Sequence, residues 1–555
     1  MISLLAAPSP STKRLQRIVQ FEWIVALALT ALVLGLDTNY ARYAGALWRD
    51  EANSFVMATY PSLSTTWQRL QFDSFPMLWY VVLQGWIRLG LGRTDIELRV
   101  FGLIVNAGIV AILWLNAWRM SRRPPLVAIT LLGANAAVMM FCGSVRGYGL
   151  GIALGLWMYG AVWAYLVRPG AVRWTVAVVA AVLACHMLYY NCVFVAAACV
   201  AGATVAASQR RWRVGFSMIG IGAVAALTLV VYLPTFRSSA AWRSMYVYSG
   251  GLPWLWQKFV EAVDLGHPIM RSIWVTVAVC AALGGLHVWR RTRDDLALFA
   301  AISVIVGVTG NIVFLRLLNY YMQPWYFLSL MAVVAAAGDA AQRAAPIGHG
   351  YRILGISAAA VALVLILLSP LYAWSVTRRT NLDEVARILE GSAGKGDYIV
   401  LKDWTHGITF HRYYHGSAGW QTLIPLPADA HDIHRSDLAF SQMHRGDGIS
   451  PVLDSVVETL RAGHHVFYIG HLPDQLPSEH PQSYYRRRIK QFPLPSPVEI
   501  WLYELDYTLA QLASGVTRIP IHLDQPVSSY ENLELSRIDG GPISAEQISH
   551  KKAQN

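Results

Sequence analysis

Two adjacent acids, Asp50 and Glu51 in the stretch LWRDEANSF that begins at Leu47, come soon after the first long apolar run, Phe21 to Leu36. A carboxylate held close to hydrocarbon loses hydration, which is costly unless the group is paired or put to use. Either these acids serve chemistry on a substrate, or they pair with Arg42 or Arg49 and anchor the loop. A third acid, Asp73 in QFDSFPMLWY from Gln71, precedes a Pro and an apolar aromatic segment. A short acidic side chain there can cap the helix N-terminus at Ser74 to Pro76, a sufficient structural reason for it.

Cations that could meet a phosphate on the same side of the membrane as these acids are Arg146, Arg237, Arg243, Lys258, Arg271 and Arg316. Arg is favoured because its planar fork grips two phosphate oxygens. Arg146 and Arg316 stand at span ends facing a shared space, while the others read as headgroup or loop contacts. His186, Tyr189, Tyr190 and Asn191 gather at a tight turn that could bind a sugar, although Tyr at a membrane boundary is ordinarily an interface anchor. About twelve of the 16 histidines fall in the C-terminal part. Among them His406, His411 and His415 share no helical face and have no adjacent Cys or HExxH pattern, so they read as scattered surface histidines. No motif supports a cofactor, and a divalent cation has none to hold it. Walker A and GxGxxG patterns in the right setting are missing too, which leaves ATP hydrolysis and dinucleotide chemistry unsupported.

The elements that must position these residues belong in a bilayer. Of 555 residues 55% are hydrophobic and only 14% charged, with 21 Trp, and the apolar residues come in blocks of about 17 to 22, the length that crosses roughly 30 Å of hydrocarbon. Spans are expected at 22–37, 98–118, 125–142, 147–167, 174–190, 191–207, 214–233, 272–290, 296–315, 320–340 and 352–373, about eleven in all. The net charge of +12 lies in short Lys/Arg clusters between spans, where it sets orientation and meets anionic lipid; nucleic acid is not implied. If the spans alternate, the clusters at 13–17, Arg119–Arg123, Arg168/Arg173, Arg210–Arg213, Arg290–Arg293 and Arg343/Arg352 fall on one side. That side is cytoplasmic, with the N-terminus. The segment 76–91 would break the alternation as a span; with Gln84 and Arg88 among Trp79, Tyr80 and Trp86 it reads as a helix lying in the interface.

The acids therefore lie in a first outer loop, 38–97. Past Trp374 the chain becomes polar. Asp397–Leu401 and His465–Ile469 read as buried strands, with helical spacing over Leu382–Leu389 and Val452–Leu460: a small extracytoplasmic α/β domain over 376–524, following a membrane part over 1–375. From 525 to 555 periodicity is lost and a mobile tail is expected. All five cysteines sit in apolar segments, so disulfides play no part in the design.

An acidic pair after the first span, then an Asp shortly before a Pro and an aromatic helix, resembles the GT-C superfamily of membrane glycosyltransferases. The pattern is similar to the family 39 type, which includes protein O-mannosyltransferases and lipid A aminoarabinose transferases. The resemblance continues through ELRV at Glu97–Val100, SVRGYGLGIAL at Ser144, similar to the family's Arg-x-Tyr segment, and HMLYYN at His186, similar to its His-Tyr-Tyr turn. It spans residues 22 to 373. Two pieces differ: Phe75-Pro76-Met77 stands where many relatives have His-Pro-Pro, and Asn319-Tyr320-Tyr321 replaces the usual Arg-Tyr. Arg316, one turn earlier, then supplies the missing cation.

What the resemblance implies is an all-α polytopic GT-C fold with the C-terminal α/β domain outside, and transfer of a sugar from a polyprenyl-phosphate donor to a hydroxyl of a glycan, lipid or protein, with inversion. Asp50 matches the family's base, Glu51 orients it or the acceptor, and Asp73 positions groups. Arg146 and Arg316 neutralise the phosphate; Tyr148, His186, Tyr189 and Tyr320 fall at substrate-binding positions. Chemistry agrees: a lipid phosphate is already a good leaving group, so one base and a set of cations suffice. A hydrolase would want two opposed carboxylates, one of them protonated. The alternative is a lipid or sugar transporter, which would place ionisable groups mid-span in duplicated halves. The Ala- and Arg-rich composition suggests a bacterial inner membrane.

Overall fold

The computed structural model describes residues 10–133, 135–242, 251–264, 268–344, 371–491 and 497–540. Among them eight helices are long and apolar enough to cross a membrane, and they match eight of the expected spans. The chain is a multi-pass membrane protein. Helix α1 (Pro10–Tyr43) leads into a short gap and then three helices that fill much of the first loop: α2 (Arg49–Thr59), α3 (Leu63–Arg69) and α4 (Met77–Arg88). With 12 residues α4 is about 18 Å long, too short to cross about 30 Å of hydrocarbon. Its Trp79, Tyr80, Leu83 and Gln84 are buried against the bundle.

Helix α5 (Asp95–Ser121) opens with a reciprocal cap, the Thr94 hydroxyl accepting from Glu97 N and the Glu97 carboxylate accepting from Thr94 N at 3.1 Å. That cap fixes the ELRV segment at the first-loop end of the span. The expected span 125–142 is broken instead into α6 (Leu126–Gly133) and a wide turn over Val138–Cys142. Asn135 sits at the break, its amide donating to Ala262 O at 3.0 Å and its carbonyl accepting from Val138 N at 3.0 Å. A helix can break at such depth only where side chains take over the freed backbone groups. Helices α7 (Tyr148–Val167), α8 (Ala171–Met187), α9 (Asn191–Ser208) and α10 (Trp212–Thr228) follow; α8 has 17 residues. Most of the expected span 352–373 lies outside the described residues.

The polar C-terminal part carries a five-stranded sheet of order β2-β1-β3-β5-β4, made of β1 (Tyr398–Leu401), β2 (Gly419–Thr422), β3 (His465–Ile469), β4 (Gly515–Ile519) and β5 (Leu535–Asp539). Strands β2, β1 and β3 are parallel, whereas β5 runs antiparallel to both β3 and β4. Alternation decides the packing: Ile399, Leu401, Phe467, Ile469 and Leu535 face the helix Leu382–Ser392, and Val400, Val466, Tyr468 and Ile538 face the helices Ser450–Arg461 and Pro497–Leu512. The expectation of a mobile tail from 525 fails up to 540, because β5 lies between β3 and β4 with Leu535, Ser536 and Ile538 buried. Before it, Arg378 N donates to Pro526 O and Asn381 N to Glu531 O, tying residues 526–531 back to the end of the membrane part.

Candidate active site

Helix α2 carries the acidic pair in its first turn, where the exposed N–H groups favour negative charge. Successive helical residues point about 100° apart, so Asp50 and Glu51 face different surroundings. Glu51 is fully buried. Its carboxylate is gripped by both terminal nitrogens of Arg99 and accepts from Val145 N at 2.9 Å and Trp48 N at 3.3 Å, while Arg99 also donates to Gly45 O and Ala46 O. Glu51 thus clamps α2, α5 and the start of the Arg-x-Tyr segment together, and it has no oxygen left for a substrate.

Asp73 is likewise saturated. Oδ2 accepts from Tyr80 Oη at 2.7 Å, Asn53 Nδ2 at 2.8 Å and Arg146 Nη1 at 2.9 Å; Oδ1 accepts from Ser74 N at 2.6 Å and Arg146 Nη2 at 3.0 Å. The expected helix cap is therefore not its main employment: α4 starts at Met77 with Pro76 before it and no side-chain cap. The Asp73–Arg146 fork has both members buried in place. Arg146 also donates to Asp50 O and Ser54 Oγ, each at 2.9 Å, and lies 4.5 Å from the Phe75 ring.

Asp50 is different. Its side chain stays 19% exposed, with Oδ1 3.8 Å from Arg49 Nε and 3.4 Å from His434 Nε2, and Oδ2 3.8 Å from Arg146 Nη2. Burial acts to raise the carboxyl, but Arg146, followed by His434 and Arg49, outweighs it and holds Asp50 well below the usual carboxylate range. Of the three acids singled out in the first loop, this is the one left reachable, and it is ionised.

The remaining sequence candidates divide. Tyr148 is buried, edge-on to Phe75 at 4.8 Å and thus beside Arg146. His186 Nδ1 lies 3.0 Å from Tyr232 Oη, Tyr189 packs edge-on against the same Tyr232, and Tyr232 Oη accepts from Met77 N at 3.2 Å; these three make a seat for α4 rather than a contact with Asp50. Asn191 is spent on Gly151 O, Ala184 O and Ser329 Oγ. Arg316 is exposed at the end of the helix Asp295–Leu318 and touches none of Asp50, Asp73 or Arg146. Tyr320 packs against Tyr326, at 6.2 Å between rings, and Tyr326 lies within electrostatic range of Asp50, Asp73 and Arg146. Lys258 pairs with Glu261 and Arg271 with Asp264; Arg237 is exposed, and Arg243 lies outside the described residues.

The sequence missed the residues that arrive from the C-terminal part. His434 Nε2 faces Asp50, and His434 N donates to Asn53 Oδ1 at 2.9 Å. Arg49 N donates to the Glu531 carboxylate at 2.9 Å, and Arg49 Nη1 lies 3.2 Å from His406 Nε2. Leu47 N donates to Tyr413 Oη at 2.8 Å, which in turn donates to Asp95 at 2.6 Å. His406, expected on the surface, is buried, and burial pushes it down to about 4; burial likewise pushes Glu531 up to about 7. Only Arg49 had a signal, its place beside Asp50. Among the described residues no group of three or more His, Cys, Asp or Glu side chains is arranged to hold a metal ion.

No family model and no curated protein matches the sequence. Solved structures do match. ArnT from Cupriavidus metallidurans in the apo state gives a TM-score of 0.51 at 13% identity, covering 96% of this chain and 100% of that one. ArnT bound to undecaprenyl phosphate gives 0.47 at 12% identity, covering 94% and 99%. The oligosaccharyltransferase of Archaeoglobus fulgidus in complex with Zn and sulfate gives 0.46 at 11% identity, covering 79% and 67%. The apo ArnT match shows a shared fold, and the expected architecture, a polytopic helical part followed by a C-terminal α/β part, is the one found.

Proposed function

We propose that the chain is an inverting glycosyltransferase of the bacterial inner membrane that moves a sugar from a polyprenyl-phosphate donor to a hydroxyl of a glycan, lipid or protein on the extracytoplasmic side. The observation that carries this reading is the inequality of the three acids: one reachable, ionised carboxylate among guanidinium groups, and two that are spent. A glycoside hydrolase needs a protonated acid opposite a second carboxylate, and neither Glu51 nor Asp73 is free to be either. A single base beside cations suits a substrate whose leaving group is a phosphate.

In the proposed step the acceptor oxygen attacks the anomeric carbon, the bond from that carbon to the phosphate oxygen breaks, and the acceptor proton passes to Asp50. The polyprenyl phosphate leaves with the electron pair, its charge met by Arg146 and Arg49. An ionised Asp50 is a weak base while those cations face it. Donor phosphate competes for the same guanidinium groups and adds a negative charge nearby, and both effects raise the basicity of Asp50 once the donor is bound.

The test is purified full-length protein in lipid nanodiscs with a radiolabelled polyprenyl-phosphate sugar and a panel of hydroxyl acceptors, reading the anomeric configuration of the product. Transfer with inverted configuration is expected. Retained configuration, or movement of the lipid across the bilayer without transfer, would contradict the reading.

A further inference from the structure

The C-terminal part does more than cover the membrane bundle. It holds the segment Leu47–Asn53, which enters the helix that carries Asp50, at four points: Tyr413 at Leu47 N, Glu531 at Arg49 N, His434 at the Asp50 carboxylate and His434 N at Asn53 Oδ1. Asn53 also donates to Asp73, so the backbone of His434 is linked through one side chain to the Asp73–Arg146 fork. The imidazole is set at right angles to Trp404, 6.0 Å away, and its side chain is 16% exposed. A histidine on a surface loop does not need a backbone anchor on another element and an aromatic wall; one that must keep a ring nitrogen facing a given oxygen does.

We infer that His434 is a positioning residue for Asp50, so that the active site is incomplete without the C-terminal part. The inference rests on the glycosyltransferase reading above. His434 Nε2 faces Asp50 Oδ1 at 3.4 Å; in this role a proton on Nε2 orients the carboxylate plane and leaves Oδ2 as the oxygen that takes the acceptor proton. The groups facing Asp50 are then Arg49 from its own helix, Arg146 from the turn before α7 and His434 from the loop after Ala430, with Glu531 and Tyr326 within electrostatic range. Of the three partners, His434 is the one that can hold Asp50 without competing for donor phosphate from the bundle side. An analogous orienting contact elsewhere governs rate through geometry, since a displacement of about 1 Å at a reacting group can cost roughly 100-fold.

The experiment compares wild type, His434→Ala and His434→Gln as purified full-length protein, measuring kcat and KM for a polyprenyl-phosphate sugar together with thermal midpoint. Gln retains an N–H donor near the position of Nε2. The expected result is that His434→Ala lowers kcat about 100-fold with donor KM changed less than about threefold, while His434→Gln recovers most of that loss and both variants keep the wild-type midpoint. A His434→Ala enzyme with wild-type kcat overturns the inference and leaves the glycosyltransferase reading intact, as does a Gln variant as slow as the Ala variant at an unchanged midpoint. If His434→Ala does not fold, His434→Gln decides alone: near-wild-type kcat supports the inference, and a 100-fold loss at a native midpoint overturns it. Wild type that transfers no sugar overturns the reading and the inference together.

Discussion

The membrane bundle and the C-terminal part both hold α2, and they hold it in opposite ways. From the bundle side come short, saturated and buried pairs: Arg99 on Glu51, and Arg146 on Asp73, with every carboxylate oxygen engaged at least twice. From the C-terminal side come single contacts of 3.2 to 3.4 Å between side chains, His406 to Arg49 and His434 to Asp50, together with carboxylate and hydroxyl groups on backbone nitrogens. The bundle sets where the helix is; the C-terminal part sets which way its one free acid looks. A site that must exchange a lipid-linked donor and an acceptor needs both, a rigid floor and a side whose side-chain contacts are single.

The largest effect should come from breaking the floor. Arg99→Ala leaves the Glu51 charge buried without a partner, and loss of one member of a buried pair costs about 3–5 kcal/mol; the expected outcome is failure to recover folded protein, or a sharply lowered thermal midpoint in detergent. Asp73→Asn keeps the shape but removes the charge that holds Arg146. Its expected outcome is a fall in kcat/KM of about 10- to 100-fold, with the Arg146 fork no longer bidentate. Equal loss of stability in Asp73→Asn and Arg99→Ala with no effect on rate would place Asp73 among purely structural groups.

A smaller effect distinguishes the two buried groups beside Arg49. Glu531 is raised to about 7, so the folded state keeps its proton longer than the unfolded one, and its contribution makes stability fall as pH rises from about 4.5 to 7. His406 is lowered to about 4, so the folded state holds it neutral, and its contribution makes stability rise as pH rises from about 4 to 6.5. The two slopes oppose each other in wild type. Glu531→Gln removes the first, and the thermal midpoint of that variant should climb more steeply between pH 4.5 and 6.5 than that of wild type. A parallel profile for the two proteins would mean that Glu531 does not titrate there. The smallest effect belongs to Arg316→Ala: at an exposed helix end the stability change should stay within about 0.5 kcal/mol, and the loss of kcat/KM should be far smaller than that of Arg146→Ala.

How much of this could be read from the sequence follows from which contacts are local. Spans declare themselves by composition, and β1, β3 and the helices beside them by periodicities of 2 and 3.6. The acidic pair stood out because charge is rare near hydrocarbon. The division of labour between Asp50 and Glu51 was hidden, since it depends on Arg99 and Val145 lying on one side of α2 and His434 on the other. Asp73 looked like a helix cap because its partners Asn53, Tyr80 and Arg146 lie 20, 7 and 73 positions away. His434, about 380 residues along from Asn53, had nothing local to mark it among many histidines. The strand β5 was missed because ELSRID reads as polar tail until its alternate residues are buried between two other strands. The break at Asn135 needed knowledge of Ala262, which no apolar window contains.

The central claim is that, of Asp50, Glu51 and Asp73, Asp50 alone is free to act as the base. It is tested most directly by single-turnover transfer from a polyprenyl-phosphate sugar by Asp50→Asn, with donor binding measured on the same preparation. The account predicts that binding survives while the rate of transfer falls by about 10²- to 10⁴-fold, the range for loss of a general base. Transfer at the wild-type rate by Asp50→Asn would contradict it.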